Sequence, residues 1–303
     1  MDVLRTPDER FADLPGYPFE PHYVEIPDGD GGVLRVHHLD EGDRDAPVVL
    51  LLHGEPSWSY LYRHMIPVLV DAGLRAVAPD LVGFGRSDKP TVRTDYTYAR
   101  HVRWLSSHVF DELDLHDITL VCQDWGGLLG LRLVAAQPDR FAAVVAANTF
   151  LPTGDGQASA AFMAWQKFSQ EVPEMPIGRI VERGCATALP AEVVAAYDAP
   201  FPDERYKEGA RQFPLLVPTS SADPEAPANR AAWEVLSGFE RPFLCAFGDS
   251  DPVTAGNERH LIQRITGAAG QAHTTIVGGA HFLQEDCGPE LAQVVVDLLS
   301  PRP

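Results

Sequence analysis

Three short stretches hold side chains whose types and order could carry out covalent chemistry. In Val121-Cys122-Gln123-Asp124-Trp125-Gly126-Gly127 an apolar run gives way to the start of a helix, the setting of a nucleophile elbow. Such a turn needs small residues two before and two after the nucleophile, and Cys122 and Gly126 satisfy it, which places Asp124 at the nucleophile position. Read alone, Asp124 equally fits an ordinary helix N-cap. The second stretch, His53-Gly54-Glu55-Pro56, follows the run Val48 to Leu52. A loop there can aim the backbone N–H of Glu55, together with that of Trp125, at an oxyanion.

The third stretch is Phe247-Gly248-Asp249-Ser250-Asp251-Pro252, followed after another apolar run by Gly278-Gly279-Ala280-His281-Phe282. Nucleophile, acid, then histidine is a chain order known for elbow hydrolases. Asp249 and Asp251 both remain candidates for the acid, since either could also be a turn residue. A further glycine motif, Gly83-Phe84-Gly85-Arg86-Ser87, has Asp88 where a dinucleotide fingerprint would end in glycine, so it reads as a structural turn.

Positioning these groups requires strands that end where they begin. Strand-like runs occur at Tyr23 to Ile26, Leu34 to His38, Val48 to Leu52, Leu74 to Ala78, Ile118 to Cys122, Ala142 to Ala147, Pro242 to Phe247 and His273 to Val277. Helix-compatible segments lie between many of them, at Tyr60 to Ala72, Tyr98 to Leu113 and Gly127 to Gln137, with Pro289 to Leu299 at the end. This alternation predicts an α/β fold with a mostly parallel sheet, mixed because the first two runs read as a hairpin. The rhythm stops between Leu151 and about Asn229, where proline is frequent, and resumes at Arg241. Residues 1–150 and 230–303 therefore read as one core domain and residues 151–229 as an inserted helical cap.

The charge balance narrows the partners. With 43 acidic residues against 24 Lys and Arg, the 303-residue chain carries −19 and has a pI near 4.8. Nucleic acid and anionic membrane surfaces are disfavoured, and a neutral small molecule is the expected ligand. Met1 to Arg10 is polar and does not read as a secretory signal, and no apolar run approaches membrane-spanning length. Cys122, Cys185, Cys245 and Cys287 are scattered, which suits a reducing, cytoplasmic setting. No Cys-x-x-Cys or His-x-x-x-His pair occurs, and adjacent His37 and His38 would face opposite sides of a strand, so no metal is expected.

The elbow Gln123 to Gly127, the loop His53 to Tyr60 and the run Asp80-Leu81-Val82-Gly83-Phe84-Gly85-Arg86-Ser87-Asp88-Lys89-Pro90 together resemble the haloalkane dehalogenases. The similarity spans nearly the whole chain and enters the insertion at Ala164-Trp165 and Tyr197 to Asp203. It implies an α/β-hydrolase fold with an eight-stranded sheet and a helical cap; no cofactor is expected, and the chain is expected to act as a monomer. It further implies Asp124 as nucleophile, His281 as general base, Asp251 as its acid partner, and Trp125 and Trp165 as indole donors to halide. Matched pocket positions are Phe162, Phe213, Val217, Leu128 and Val253.

The implied partners are a small halogenated substrate, water and the halide product. A primary haloalkane would yield an alcohol through an ester on Asp124. These roles suit the residue types: an aspartate is already ionised at neutral pH, and a leaving halide needs hydrogen-bond donors rather than a proton. Some relatives carry asparagine at the Glu55 position and an acid near Asn148. This chain departs from that pattern, because ionised glutamate cannot donate and Asn148 cannot be a carboxylate. Epoxide hydrolases share the elbow and remain the alternative, with Tyr197 and Tyr206 available as cap donors.

Overall fold

The computed structural model describes residues 1–300, so the last three residues of the expected core domain lie outside the described residues. The strands are β1 (Val3–Leu4), β2 (His22–Pro27), β3 (Val33–Glu41), β4 (Val48–Leu52), β5 (Arg75–Pro79), β6 (Lys89–Pro90), β7 (Ile118–Gln123), β8 (Phe141–Ala147), β9 (Phe243–Gly248) and β10 (Thr274–Ile276). Eight of them form one sheet in the order β10-β9-β8-β7-β4-β5-β3-β2, while β1 and β6 make a small antiparallel pair. Only β3 runs against its neighbours β2 and β5. All eight runs found in the sequence are strands of this mostly parallel sheet, with ends shifted by at most a few residues.

The α-helices are α1 (Ile66–Asp71), α2 (Tyr98–Ser106), α3 (Trp125–Ala136), α4 (Ala160–Glu171), α5 (Ile177–Arg183), α6 (Ala191–Asp198), α7 (Glu208–Leu216), α8 (Ala226–Ser237), α9 (Asn257–Arg264) and α10 (Leu283–Leu299). Three differ from the sequence expectation. The segment from Tyr60 becomes a 3₁₀ turn, Ser59–Tyr62, and α1 starts only at Ile66, where Pro67 can occupy the first turn without losing a bond. The helix from Tyr98 continues past α2 as a π-helical stretch, Ser107–Glu112. The last helix begins six residues early and is interrupted at Cys287, two residues before Pro289. No strand lies between residues 151 and 229 among the described residues, and α8 runs across residue 229 to pack on α3 through Arg132 and Asn229, 2.8 Å apart.

The central strands β4, β7 and β8 are buried almost throughout because both faces of the sheet are covered there. In β4, Val48, Leu50 and Leu52 join the core under α2, α3 and the inserted helices, whereas Val49 and Leu51 join the core under α1 and α10. Two cores thus grip the central strands, fixing where β4, β7 and β8 end.

Several histidines are buried away from the sheet ends. His101 packs against Phe213, Trp104 and Tyr96, with ring centroids 4.5, 4.9 and 5.9 Å away, and its Nε2 has no partner. Burial lowers its pKa to about 3 and, with the neighbouring His37 charge, lowers that of His38 to about 4; His108, 3.2 Å from His38, is held well below the ordinary value by burial as well. With folded values below the unfolded one, the unfolded chain binds these protons first as pH falls. Stability is therefore full above about pH 6.5 and is lost below it, by about 1.4 kcal/mol per pH unit for each such group. Urea unfolding of His101→Phe should show a shallower loss between pH 6 and 5 than the wild type, by about that amount. An unchanged slope would mean that His101 is not held neutral.

Candidate active site

The parallel strands end together, and Glu55, Asp124, Asp251 and His281 all sit in the loops after those ends. At the end of β7, Asp124 adopts φ 49° and ψ −127°, a strained conformation for a non-glycine residue. The strain is held in place by close packing behind it: a Cβ on Gly126 would lie 1.9 Å from the Leu52 carbonyl oxygen, so only glycine lets α3 start against β4. The backbone is also pinned from β8, since Asp124 N–H donates to the Asn148 carbonyl at 3.0 Å and the Thr149 hydroxyl donates to the Asp124 carbonyl at 2.7 Å.

The Asp124 carboxylate is gripped on two sides. The Glu55 backbone N–H, in the loop after β4, donates to Oδ1 at 2.8 Å. On the other side, His281 Nε2 stands 3.5 Å from Oδ2, and His281 Nδ1 is 3.1 Å from Asp251 Oδ2. Asp251 is buried and accepts further bonds from Val253 N–H at 2.8 Å and from the Thr254 hydroxyl. Asp249 instead accepts from Ser250 and Gly278 on an exposed turn, at 2.8 and 3.1 Å. The geometry separates the two candidate acids: Asp251 meets the histidine and Asp249 closes a turn.

Burial by itself would depress the His281 pKa. The charge of Asp251 and the contacts with Asp124 outweigh it and raise the value to about 10. Burial would raise the Asp251 pKa, but His281, Thr254 and the Val253 N–H hold it below the ordinary carboxylate range. Glu55 goes the other way: its side chain is 4% exposed, and burial reinforced by the Asp124 charge pushes its carboxyl well above the usual range, against smaller effects of His281 and the Trp165 indole. Like charges in one apolar pocket disfavour the ionised form, which is the direction in which Asp124 acts on Glu55.

Two residues of the site were not singled out as structural supports by sequence reasoning. Asn148, at the end of β8 with φ 43°, donates to the carbonyls of Ala280 and His281 at 2.6 and 3.2 Å and accepts from Gly248 N–H at 2.8 Å. Its amide ties β9 to the histidine loop and has no donor left for a ligand. Gln123 Nε2 donates to the His281 carbonyl at 3.0 Å. The one signal in the sequence was the appearance of an amide exactly where each apolar strand ends.

A cavity of about 540 Å³ opens over Asp124. Trp125, Leu128, Phe162, Trp165, Val217 and Val253 line it, as do Phe150, Phe168 and Phe282, which sequence reasoning missed. Phe213 does not line it. That residue is fully buried behind Trp125, with ring centroids 4.6 Å apart, because successive positions on α7 are turned about 100° from one another and Pro214 takes the cavity-facing place. Tyr197 and Tyr206 are also absent from the wall; the Tyr197 hydroxyl donates to Glu285 at 2.6 Å, on a buried strut that includes Arg63. No group of three or more potential metal ligands is clustered among the described residues.

A strained elbow between a parallel strand and a helix, facing a histidine that is backed by an acid from a later strand end, defines an α/β-hydrolase, and residues 47–286 match the family described as alpha/beta hydrolase fold. The chain is 60% identical over its full 303 residues to all of a haloalkane dehalogenase from Psychrobacter cryohalolentis. It is 54% identical over 296 residues, 98% of each chain, to one from Mycolicibacterium paratuberculosis. The solved haloalkane dehalogenase DpaA from Paraglaciecola agarilytica, described as tetrameric, superposes with a TM-score of 0.88 at 38% identity over 97% of each chain. The chain belongs to the haloalkane dehalogenases, hydrolases that act on carbon–halide bonds.

Because only Asp251 meets the imidazole, Asp251→Asn should lower haloalkane turnover by about a thousandfold or more, the scale of neutralising a triad acid. Asp249→Asn should cost less than about tenfold, since it loses only a turn bond. Steady-state halide release measures both, and the reverse order would reassign the acid.

Proposed function

We propose that this chain hydrolyses primary haloalkanes to primary alcohols and halide through an ester on Asp124. The observation that carries the reading is the division of labour between the two oxygens of Asp124: Oδ1 is held by the Glu55 N–H, while Oδ2 faces His281 and the cavity. Oδ2 attacks the substrate carbon and the halide leaves with the bonding electrons. The Trp125 and Trp165 indoles, both at the cavity wall, receive it; indole N–H is a donor only and cannot repel an anion with a lone pair. Residues 151–229 act as the cap that brings Trp165 over the elbow.

Alkylation then removes the Asp124 charge, one of the causes that hold the His281 pKa high. The imidazole releases its proton more readily and becomes the base for the second step. Water loses a proton to His281 Nε2 and attacks the ester carbonyl. The oxyanion formed at Oδ1 is stabilised by the Glu55 and Trp125 N–H groups, and Asp251 stabilises the imidazolium. Collapse breaks the acyl–oxygen bond, and His281 returns the proton to the departing alkoxide.

Epoxide opening would need proton donors over the elbow. The tyrosines that could serve are elsewhere, Tyr197 being committed to Glu285. We further read the chain as a cytoplasmic monomer. The four free cysteines suit a reducing compartment, and no helix among the described residues is long and apolar enough to cross a membrane.

Carboxylate attack needs no base, whereas water attack does. With 1-bromobutane, His281→Ala should release one bromide per site and then stall as a butyl ester that peptide mapping places on Asp124. A folded His281→Ala protein that neither releases bromide nor gains a butyl group would sink the two-step reading.

A further inference from the structure

We propose that the side chain of Glu55 is a third donor to the halide, acting as a neutral carboxylic acid beside the two indoles. The inference rests on the halide site described under Proposed function but concerns a group that site did not include, since only the backbone of Glu55 was used there.

The geometry points to it in three ways. Glu55 lines the same cavity as Asp124, Trp125 and Trp165, and its carboxyl meets the Trp165 indole, so any anion received by that indole lies beside it. Its Oε1 is buried with no hydrogen-bond partner, and among the described residues it forms no ion pair. Two carboxyls, Glu55 and Asp124, therefore share one apolar pocket in which the cation acting on Glu55 is His281, and that histidine touches Asp124. The backbone N–H of Glu55 is itself spent on holding Asp124 as the anion. The proton consequently resides on Glu55. A neutral acid O–H can turn toward the halide and donate, whereas a carboxylate there would repel it.

The titratable and charged groups that line the cavity with Glu55 are Asp124 from the elbow, His281 from its loop, and Arg183 and Cys185 from the cap side. Burial raises the Cys185 thiol above its ordinary range, which keeps it neutral near pH 7.

Infrared difference spectra on adding bromide to the wild type at pH 7 test the proposal directly. A protonated-carboxyl carbonyl band should be present, shift when bromide binds, and vanish in Glu55→Gln. Bromide affinity, read from tryptophan fluorescence quenching, should fall by about tenfold or more in Glu55→Ala, the effect of one lost hydrogen bond to a charged ligand. Glu55→Gln, which keeps a neutral donor, should bind within about threefold of the wild type.

The proposal is overturned by the absence of a carboxyl band that Glu55→Gln removes, by a band that bromide leaves unmoved, or by Glu55→Gln weakening as much as Glu55→Ala. Should Glu55→Ala not fold, the infrared comparison of wild type and Glu55→Gln decides alone. Ester trapping on Asp124 in His281→Ala separates the two failures: if the ester forms and the band is missing, only the Glu55 assignment falls.

Discussion

The proposed reaction depends on one carboxylate oxygen of Asp124 staying free inside an apolar cavity. A bare carboxylate in such a place would take up a proton or close on a neighbouring cation. Here Asp124 has one backbone N–H at 2.8 Å and a histidine at 3.5 Å, a distance that leaves Oδ2 open to a substrate carbon. Protonation is diverted to Glu55, whose carboxyl is more deeply buried and receives less help. In the proposed reaction an aspartate suits that place better than a serine, because an anionic nucleophile needs no base to generate it.

Everything behind the site serves to hold that arrangement. Two cores clamp the central strands from opposite faces, so the ends of β4, β7, β8 and β9 are fixed relative to one another. Asn148 converts that alignment into the position of His281 by bonding the histidine loop and Gly248 at once. Asp251 is in turn fixed by Thr254 and the Val253 N–H. The Tyr197–Glu285–Arg63 strut ties α6 of the insertion to the start of α10, four residues beyond His281.

Much of this was legible in the sequence because the fold buries both faces of its central strands. Those strands are short, nearly continuous apolar runs, and the edge strands showed as β-rich stretches between turn residues, so all eight could be read. The elbow, the loop bearing Glu55 and the order of acid and histidine were legible because each lies next to a strand end. Helix limits were harder: Pro67 delays α1, and the break at Cys287 lets α10 start earlier than its proline suggests. Phe213 was misplaced because a helical position one residue away faces a different neighbour. The roles of Asn148 and Gln123, and the setting of the Glu55 carboxyl, arise from contacts between residues far apart in the chain, which local spacing does not encode.

In the proposed reaction Asp124 itself, and not water, attacks the substrate carbon. A single turnover in heavy-oxygen water, with enzyme in excess over 1-bromobutane, tests it most directly. The butanol should carry ordinary oxygen taken from Asp124, and mass spectrometry of the peptide containing Asp124 should find one heavy oxygen in its carboxylate. Heavy oxygen in the butanol with none in Asp124 would contradict it, because water would then have displaced the halide in one step.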